Sequence, residues 1–282
     1  MALAFTYLQK GYFFIGASFS DGFKNIQHVI CENTMEIFNS IGSKYIQSDM
    51  SDVLSKIFNG DIGSKYVIVG TPCQIAGLRK VIDEKGAGNQ FILVDFFCHG
   101  VPSYLLWWKY IRDIERKIGL LIHYEFRNNF ESWHEFRVRA IGEKGFYSQF
   151  HQIDPYMYLY LKNFCFRNAC YSCNYRNMSA ADIRMGDFWG LEFQDDKVGV
   201  SIAIPLNERG SKVFDEVTGC KEKMEERQFE TNFGFQKPPI YEQFLNELKN
   251  NDFQMILKRY HNPMLKKRSI SGILKKLSGK PG

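Results

Sequence analysis

The sequence predicts a mixed α/β fold: a partly parallel sheet with flanking helices, plus a small antiparallel meander. Three observations carry this. Two short apolar runs, Val67-Ile68-Val69 and Phe91-Ile92-Leu93-Val94, have the unbroken hydrophobic character of strands covered on both faces. Each runs into a turn bearing a cysteine and then an amphipathic helix, and the two cysteines, Cys73 and Cys98, are 98 − 73 = 25 residues apart. That spacing fits a βαβ unit with parallel strands. From Leu121 onward the pattern changes to the alternation of half-exposed antiparallel strands.

The elements follow in order. Ala2 to Ile15 leans apolar but is interrupted by Gln9, Lys10 and Gly11. It has neither a basic start nor a small-residue cleavage site, so it is not read as a signal peptide. Tyr12–Phe19 and Ile26–Cys31 read as strands around the turn Ser20-Asp21-Gly22, a hairpin. Thr34 is expected to cap a short helix with Met35, Ile37, Phe38 and Ile41 on its apolar side. Gly42-Ser43-Lys44-Tyr45-Ile46-Gln47-Ser48 is polar and turn-like. It reads either as a surface loop or as a phosphate-holding segment. The letters Gly-Ser-Lys-Tyr recur at Gly63–Tyr66, which shows how easily so short a match arises. Ser51 is expected to cap a helix through Phe58, ended by Gly60.

Gly70-Thr71-Pro72 stops the next strand. Gln74 opens a helix with Ile75, Leu78, Val81 and Ile82 on one stripe. Cys73 thus falls at a helix start, where backbone N–H groups and the helix dipole favour a thiolate. The second strand ends at Cys98-His99-Gly100-Val101-Pro102, and Ser103 caps a helix to about Lys117. If the two strands are neighbours they lie ~5 Å apart, with Cys73 and Cys98 side by side at the carboxyl edge of the sheet, where open α/β sheets place their sites. Ile122–Arg127, Glu135–Ala140 and Phe146–Phe150 form the meander, at about residues 121–150. Pro155 starts an aromatic helix to about Phe164. Val198–Ile204 reads as a strand, Glu208–Val217 as a helix, and Tyr241–Tyr260 as a further amphipathic helix. Residues 1–262 are expected to form a single domain, with the meander as an insertion and 263–282 as a basic, solvated tail.

The chain has 282 residues and a net charge of +5, much of it in that tail, so the charge is weak evidence for a nucleic-acid partner and none is expected. No apolar run approaches the ~20 residues of a membrane-spanning helix. The expected location is cytoplasmic, and seven cysteines in a reducing compartment point to metal or redox chemistry. Cys170-x2-Cys173 can supply two sulfurs to one metal or cluster. Cys73 and Cys98 can supply another pair. Four thiolates suit zinc or an iron–sulfur cluster, and unliganded cysteines are a third reading. A structural zinc site usually has two local Cys-x2-Cys pairs, whereas one is present here. Cys165 is either a ligand or core packing. Cys31 and Cys220 read as structural. Cys98 and His99, adjacent in sequence, are a poor nucleophile–base pair, and the six histidines show no metal-ligand spacing.

Gly42–Ser48, Gly70-Thr71-Pro72-Cys73-Gln74-Ile75-Ala76-Gly77-Leu78, Asp95-Phe96-Phe97-Cys98-His99-Gly100-Val101-Pro102-Ser103, Cys170-Tyr171-Ser172-Cys173 and Ala181-Asp182-Ile183-Arg184-Met185-Gly186-Asp187-Phe188-Trp189-Gly190 occur together and in one order. In this the chain resembles the coenzyme F420 hydrogenase/dehydrogenase beta-subunit family over roughly residues 11–215. The resemblance implies an oxidoreductase in which a [4Fe–4S] cluster exchanges electrons with FAD, a ferredoxin-like carrier or partner subunit, and a small-molecule substrate. It implies Cys73, Cys98, Cys170 and Cys173 as cluster ligands. Gly42, Ser43, Lys44, Tyr45, Thr71 and Asp187 are the candidate flavin-binding positions, and Trp189 reads as core more than as a stacking platform. Bacterial members often begin with a ferredoxin-like domain. No cysteine precedes Cys31, so the resemblance is to the type without it. A Ser-Ser-Gly-Gly motif expected just ahead of Ala2 is not present, which suggests a shortened amino terminus. The alternative reading rests on that: a cluster-bearing or scaffolding remnant without catalysis, linked to polysaccharide biosynthesis.

Overall fold

The computed structural model describes residues 1–60, 63–130, 133–193, 195–217, 219 and 236–261. Cys220 and the basic tail lie outside the described residues. The chain divides into two compact units. The first comprises Met1–Gly100, Ser132–His134 and Ser172–Gly234; the second comprises Val101–Glu131, Glu135–Tyr171 and Phe235–Gly282.

The first unit is a six-stranded sheet covered on both faces. Its strands are β1 (Tyr12–Ser20), β2 (Asn25–Cys31), β3 (Lys65–Val69), β4 (Phe91–Phe96), β8 (Ile183–Asp187) and β9 (Ser201–Pro205), in the order β2-β1-β3-β4-β8-β9. β1, β3, β4 and β8 run parallel, and β2 and β9 close the two edges antiparallel. In register, Val67 faces Ile92 and Val69 faces Val94. Successive side chains alternate between faces, so one sequence run feeds two cores. Ile15, Ile68 and Leu93 pack with Ile75, Leu78 and Ile82 of α4 (Pro72–Glu84) and Val53 and Ile57 of α3 (Ser51–Asn59). Val67, Ile92, Val94 and Ile183 pack on the other face with Leu3 and Tyr7 of α1 (Ala2–Gln9) and Val213 of α8 (Glu208–Glu216). α2 (Thr34–Ser40) buries Ile37 beside Ala4 and Cys31.

The second unit holds α5 (Tyr104–Ile118), the three-stranded antiparallel sheet β5 (Leu121–Asn128), β6 (Arg137–Gly142) and β7 (Gly145–Phe150), and helices α6 (Pro155–Leu161), α7 (Asn168–Tyr171), α9 (Tyr241–Asn250) and α10 (Phe253–Ile256). Its core is aromatic. Trp107, Tyr110, Tyr124, Phe126 and Tyr156 are all buried, with ring centroids 4.9–6.4 Å apart. Asp154 is buried beneath them. It caps α6 by accepting from Met157 N (2.8 Å), and it accepts from the hydroxyls of Tyr110 (2.7 Å) and Tyr147 (2.8 Å). Burial raises its pKa.

The mixed architecture is the one the sequence predicts, and several boundaries differ for local reasons. α1 is a helix that the broken apolar pattern conceals. Asn33, rather than Thr34, caps α2, accepting from Glu36 N at 3.1 Å. Of that helix's expected apolar side only Ile37 is buried; Met35, Phe38 and Ile41 are exposed. The start of α3 is held by Asp49, which accepts from Ser51 N at 2.9 Å. Val81 is exposed although its neighbours Leu78 and Ile82 are buried. α6 stops at Leu161, because Asn163 takes a left-handed conformation, φ 60°, which Asn tolerates. β9 starts only at Ser201, because Asp196 Oδ1 draws the N–H groups of Val198 and Gly199 into a turn, each at 2.7 Å. The helix expected over 241–260 breaks at Asn251, which is extended; Asp252 then caps α10.

Candidate cysteine and flavin site

β3 and β4 are parallel neighbours, so the segments carrying Cys73 and Cys98 leave the same edge of the sheet. The first exit is tight. Gly70 N donates to Val94 O at 3.1 Å, and Pro72 and Cys73 are the first two residues of α4. Thr71 and Gln74 form a capping box, with Thr71 N donating to Gln74 Oε1 at 3.1 Å. Thr71 Oγ1 stands 3.3 Å from Cys73 Sγ, within reach of a hydrogen bond to the sulfur.

A chain of hydrogen bonds ties this exit to the Gly42–Ser48 segment. Gln74 Nε2 donates to Ser48 O at 2.8 Å. Ser48 Oγ is 2.7 Å from His28 Nδ1, and His28 Nε2 is 2.9 Å from Val69 O. A carbonyl can only accept, so Nε2 carries the proton and Nδ1 accepts from the serine hydroxyl. Both side chains are buried, and burial lowers the His28 pKa. Within the same segment Gly42 and Ser43 are exposed, and Lys44 and Tyr45 are half-buried. The Lys44 ammonium donates to the carbonyls of Ser40 (3.0 Å), Ile41 (3.0 Å) and Gly42 (3.2 Å). It therefore neutralises the carboxyl end of α2, and burial pulls its pKa down to about 8.

Cys98 and Cys173 are placed by a buried ion pair, which a second, half-buried pair reinforces. Asp95, three residues before Cys98, makes a two-pronged contact with Arg184 (Nε–Oδ1 2.8 Å, Nη2–Oδ2 2.9 Å) and accepts from Ser179 Oγ at 2.6 Å. The remaining guanidinium N–H groups reach the carbonyls of Tyr175 (3.3 Å), Arg176 (3.3 Å) and Met178 (2.8 Å). Arg184 thereby pins the stretch just after Cys173 to the strand that leads to Cys98. A second pair, Arg79–Asp182 at 2.7 Å, ties α4 to the residue ahead of β8. Arg79 Nε also donates to Ala180 O (3.0 Å), and Asp182 Oδ2 accepts from Leu93 N (2.8 Å). Asp182 and Arg184 give no sign of this role in the sequence; burial turns them from motif letters into the struts of the edge.

Burial sorts the cysteines. Cys31 and Cys165 are fully buried, and burial raises the pKa of both thiols. Cys165 is therefore core packing. Cys73 is exposed, and Cys98, Cys170 and Cys173 are partly exposed. Cys73, Cys98 and Cys173 belong to the first unit, whereas Cys170 sits on α7 of the second. Chain length alone keeps the Cys170 and Cys173 Cα atoms within about 11 Å. Among the described residues no three His, Cys, Asp or Glu side chains are close enough to hold a metal ion. The donor set fits a thiolate-bound metal or cluster by residue type and access.

Asp187 closes β8 and is exposed. Two residues on, Trp189 is 52% exposed, not core, and its ring stacks on that of the buried Trp133 (centroids 4.9 Å, 22°). Gly199, at φ 98°, lies against the Trp133 ring where a Cβ would collide.

A family model for the carboxyl-terminal part of the beta subunit of coenzyme F420 hydrogenase/dehydrogenase matches residues 63–230, more than half of the chain. No curated protein matches. Among solved structures, the xenon-derivatized F420-reducing [NiFe] hydrogenase complex of Methanosarcina barkeri contains a similar chain: 17% sequence identity, TM-score 0.51, covering 76% of this chain and 70% of that one. At that identity the likeness is one of fold. The matched segment contains both cysteine-bearing strand exits, the Cys170-x2-Cys173 pair and both ion pairs of the edge, and the chain belongs to the coenzyme F420 hydrogenase/dehydrogenase beta-subunit family, a family of oxidoreductase subunits.

Proposed function

We propose that this chain is an electron-transferring oxidoreductase subunit in which Cys73, Cys98, Cys170 and Cys173 hold a [4Fe–4S] cluster and a flavin, FAD, binds at the same sheet edge. One observation carries the reading. Among the described cysteines, the four that match the family's ligands are those with access to solvent, and the two that do not are buried. A cluster ligand must be reachable and deprotonated, whereas a buried thiol resists deprotonation.

The flavin supplies two-electron chemistry on a substrate and one-electron exchange with the cluster. This chain's residues do the positioning. Thr71 Oγ1, which donates to Gln74 Oε1 at 2.9 Å, stands 3.3 Å from the Cys73 sulfur, and turning its proton to a bound thiolate would tune the sulfur's donor strength. Gln74 and Ser48 hold the Gly42–Tyr45 segment against the cysteine turn, so a phosphate or ring bound by that segment would lie near the thiols. Lys44 acts there as a brace for the loop, since its ammonium is directed at three carbonyls. The outer face of Trp189, beyond the carboxyl end of β8, and the Asp187 carboxylate offer a flat surface and a negative charge to the flavin ring. The neighbouring fold belongs to a multisubunit hydrogenase complex, which supports a second protein of an assembly as electron carrier; a ferredoxin-like protein has the required chemistry.

Anaerobic reconstitution tests this. Iron, acid-labile sulfide and flavin should all be retained, and Cys73→Ser or Cys98→Ser should remove the cluster absorption while Cys165→Ser keeps it. Zinc in place of iron, or a full cluster in Cys73→Ser, would overturn the assignment. Iron without flavin would remove the catalytic part of the reading and leave a protein that only bears the cluster.

A further inference from the structure

The opposite end of the same strands builds a different kind of site. Tyr12 opens β1, Lys65 opens β3, and Ile92 is the second residue of β4. Around these amino-terminal ends lies an open cavity of about 360 Å³, flanked by α1 and α8. Ile92 and Val213 form its buried apolar floor, and Tyr7 and Tyr12, edge to face at 5.0 Å, form one wall. Four cations line it: Lys10, Lys65, Arg209 and Lys212. The single carboxylate is Glu216, which leaves a formal charge of 4 − 1 = +3.

The cations differ in their partners. Lys10 pairs with Glu216 at 2.6 Å, and Glu216 also accepts from Tyr7 OH at 2.6 Å. Arg209 is fixed by the carbonyls of Gly88 and Asn89 (3.1 Å to the latter), which hold its guanidinium without neutralising it. Lys65 lies over the Tyr12 ring at 5.5 Å. Lys65 and Lys212 have no carboxylate partner among the described residues.

We propose that this cavity binds a small anion bearing phosphate, of the size of a diphosphate or a nucleoside diphosphate. Such groups carry roughly two charges per terminal phosphate at neutral pH, matching the surplus. A volume of a few hundred Å³ suits a small ligand. The five residues of β3 separate this end from the cysteine edge by ~17 Å, so the site is distinct from the thiols and stands whether or not a cluster or flavin binds there.

The test is a titration of the full chain with pyrophosphate, ADP and acetate at constant ionic strength, read by calorimetry. Pyrophosphate or ADP should bind saturably and acetate should not. Tighter ADP binding assigns the nucleoside form, with its ring on the tyrosine wall; equal binding assigns the diphosphate alone. Lys65 and Lys212 are exposed, so Lys65→Met/Lys212→Met should keep the wild-type circular dichroism while weakening binding roughly tenfold, the sum of two ordinary exposed charge contacts. Glu216→Gln should strengthen it, since it removes the opposing charge and releases Lys10. No saturable binding of either phosphate compound, or undiminished affinity in the double lysine variant, overturns the proposal.

Discussion

β3 and β4 end alike in sequence, a strand, a cysteine and a capped helix, yet the two exits are built differently. After β3 the chain turns within two residues, and α4 packs straight back on the sheet through Ile75, Leu78 and Ile82. After β4 it runs without regular structure from Phe97 to Ser103, and α5 joins the aromatic core of the second unit. At the first exit the turn itself is held by local contacts, a capping box and a bond to the next strand, and the long-range Arg79–Asp182 pair, spanning 103 residues of sequence, engages only farther along α4. The second depends on long-range ones, the Asp95–Arg184 and Leu93–Asp182 contacts, each spanning 89 residues of sequence. A repeated motif thus fixes the position of a cysteine at a strand end but not the means by which it is held.

Substitutions can separate the two modes. The largest effect is expected at the second exit. Asp95→Ala leaves Arg184 buried without its partner and should cost about 3–5 kcal/mol, read as a fall in the denaturation midpoint. If the loss is below about 1 kcal/mol, the pair does not hold this edge. Ile68→Ala, at a fully buried position of β3, should cost about 2–5 kcal/mol through the cavity it leaves. The two helix starts give a closer comparison. Gln74→Ala removes the reciprocal cap of α4, and Ser103→Ala the cap of α5, where Ser103 Oγ accepts from Leu105 N at 3.2 Å. Each should cost about 1 kcal/mol. Gln74→Ala should also loosen the Gly42–Ser48 segment, visible as faster amide exchange there and not in the second unit. An equal response in both units would erase the distinction between the exits.

The smallest effect is one of pH. Burial lowers the His28 pKa in the folded state below its unfolded value of about 6.5. The unfolded chain then binds the proton more readily, so stability is lost as pH falls through about 6.5 and is fully present above it. His28→Gln should flatten that part of the pH–stability curve. A curve unchanged between pH 7 and 5 would place the sensitivity elsewhere.

The parallel strands and the two cysteine turns are legible in the sequence because their signals are local: an apolar run, a Gly or Pro stop, a capping residue. The meander is legible from its alternation. The division into two units is not, because α5 carries an ordinary amphipathic pattern, and nothing in that pattern says which core receives it. The two struts, Arg79–Asp182 and Arg184–Asp95, are invisible because charged letters in a motif look the same whether solvated or buried. Trp189 misleads for the complementary reason: an aromatic residue predicts burial, and here the stacked Trp133 takes the buried place. The basic cavity draws on Tyr7, Lys65, Ile92 and Arg209, which no sequence window contains together.

The placement of β8 between β4 and the edge strand β9 has a consequence for synthesis. β4 pairs with β3 but cannot acquire its second neighbour until Ile183 has been made, 183 − 96 = 87 residues after its own last residue. At ordinary translation rates of ~5–20 residues per second, that wait is on the order of 4–17 s. Throughout it the growing chain on the ribosome presents β4 with one unpaired edge, an apolar strand open to any other extended segment nearby.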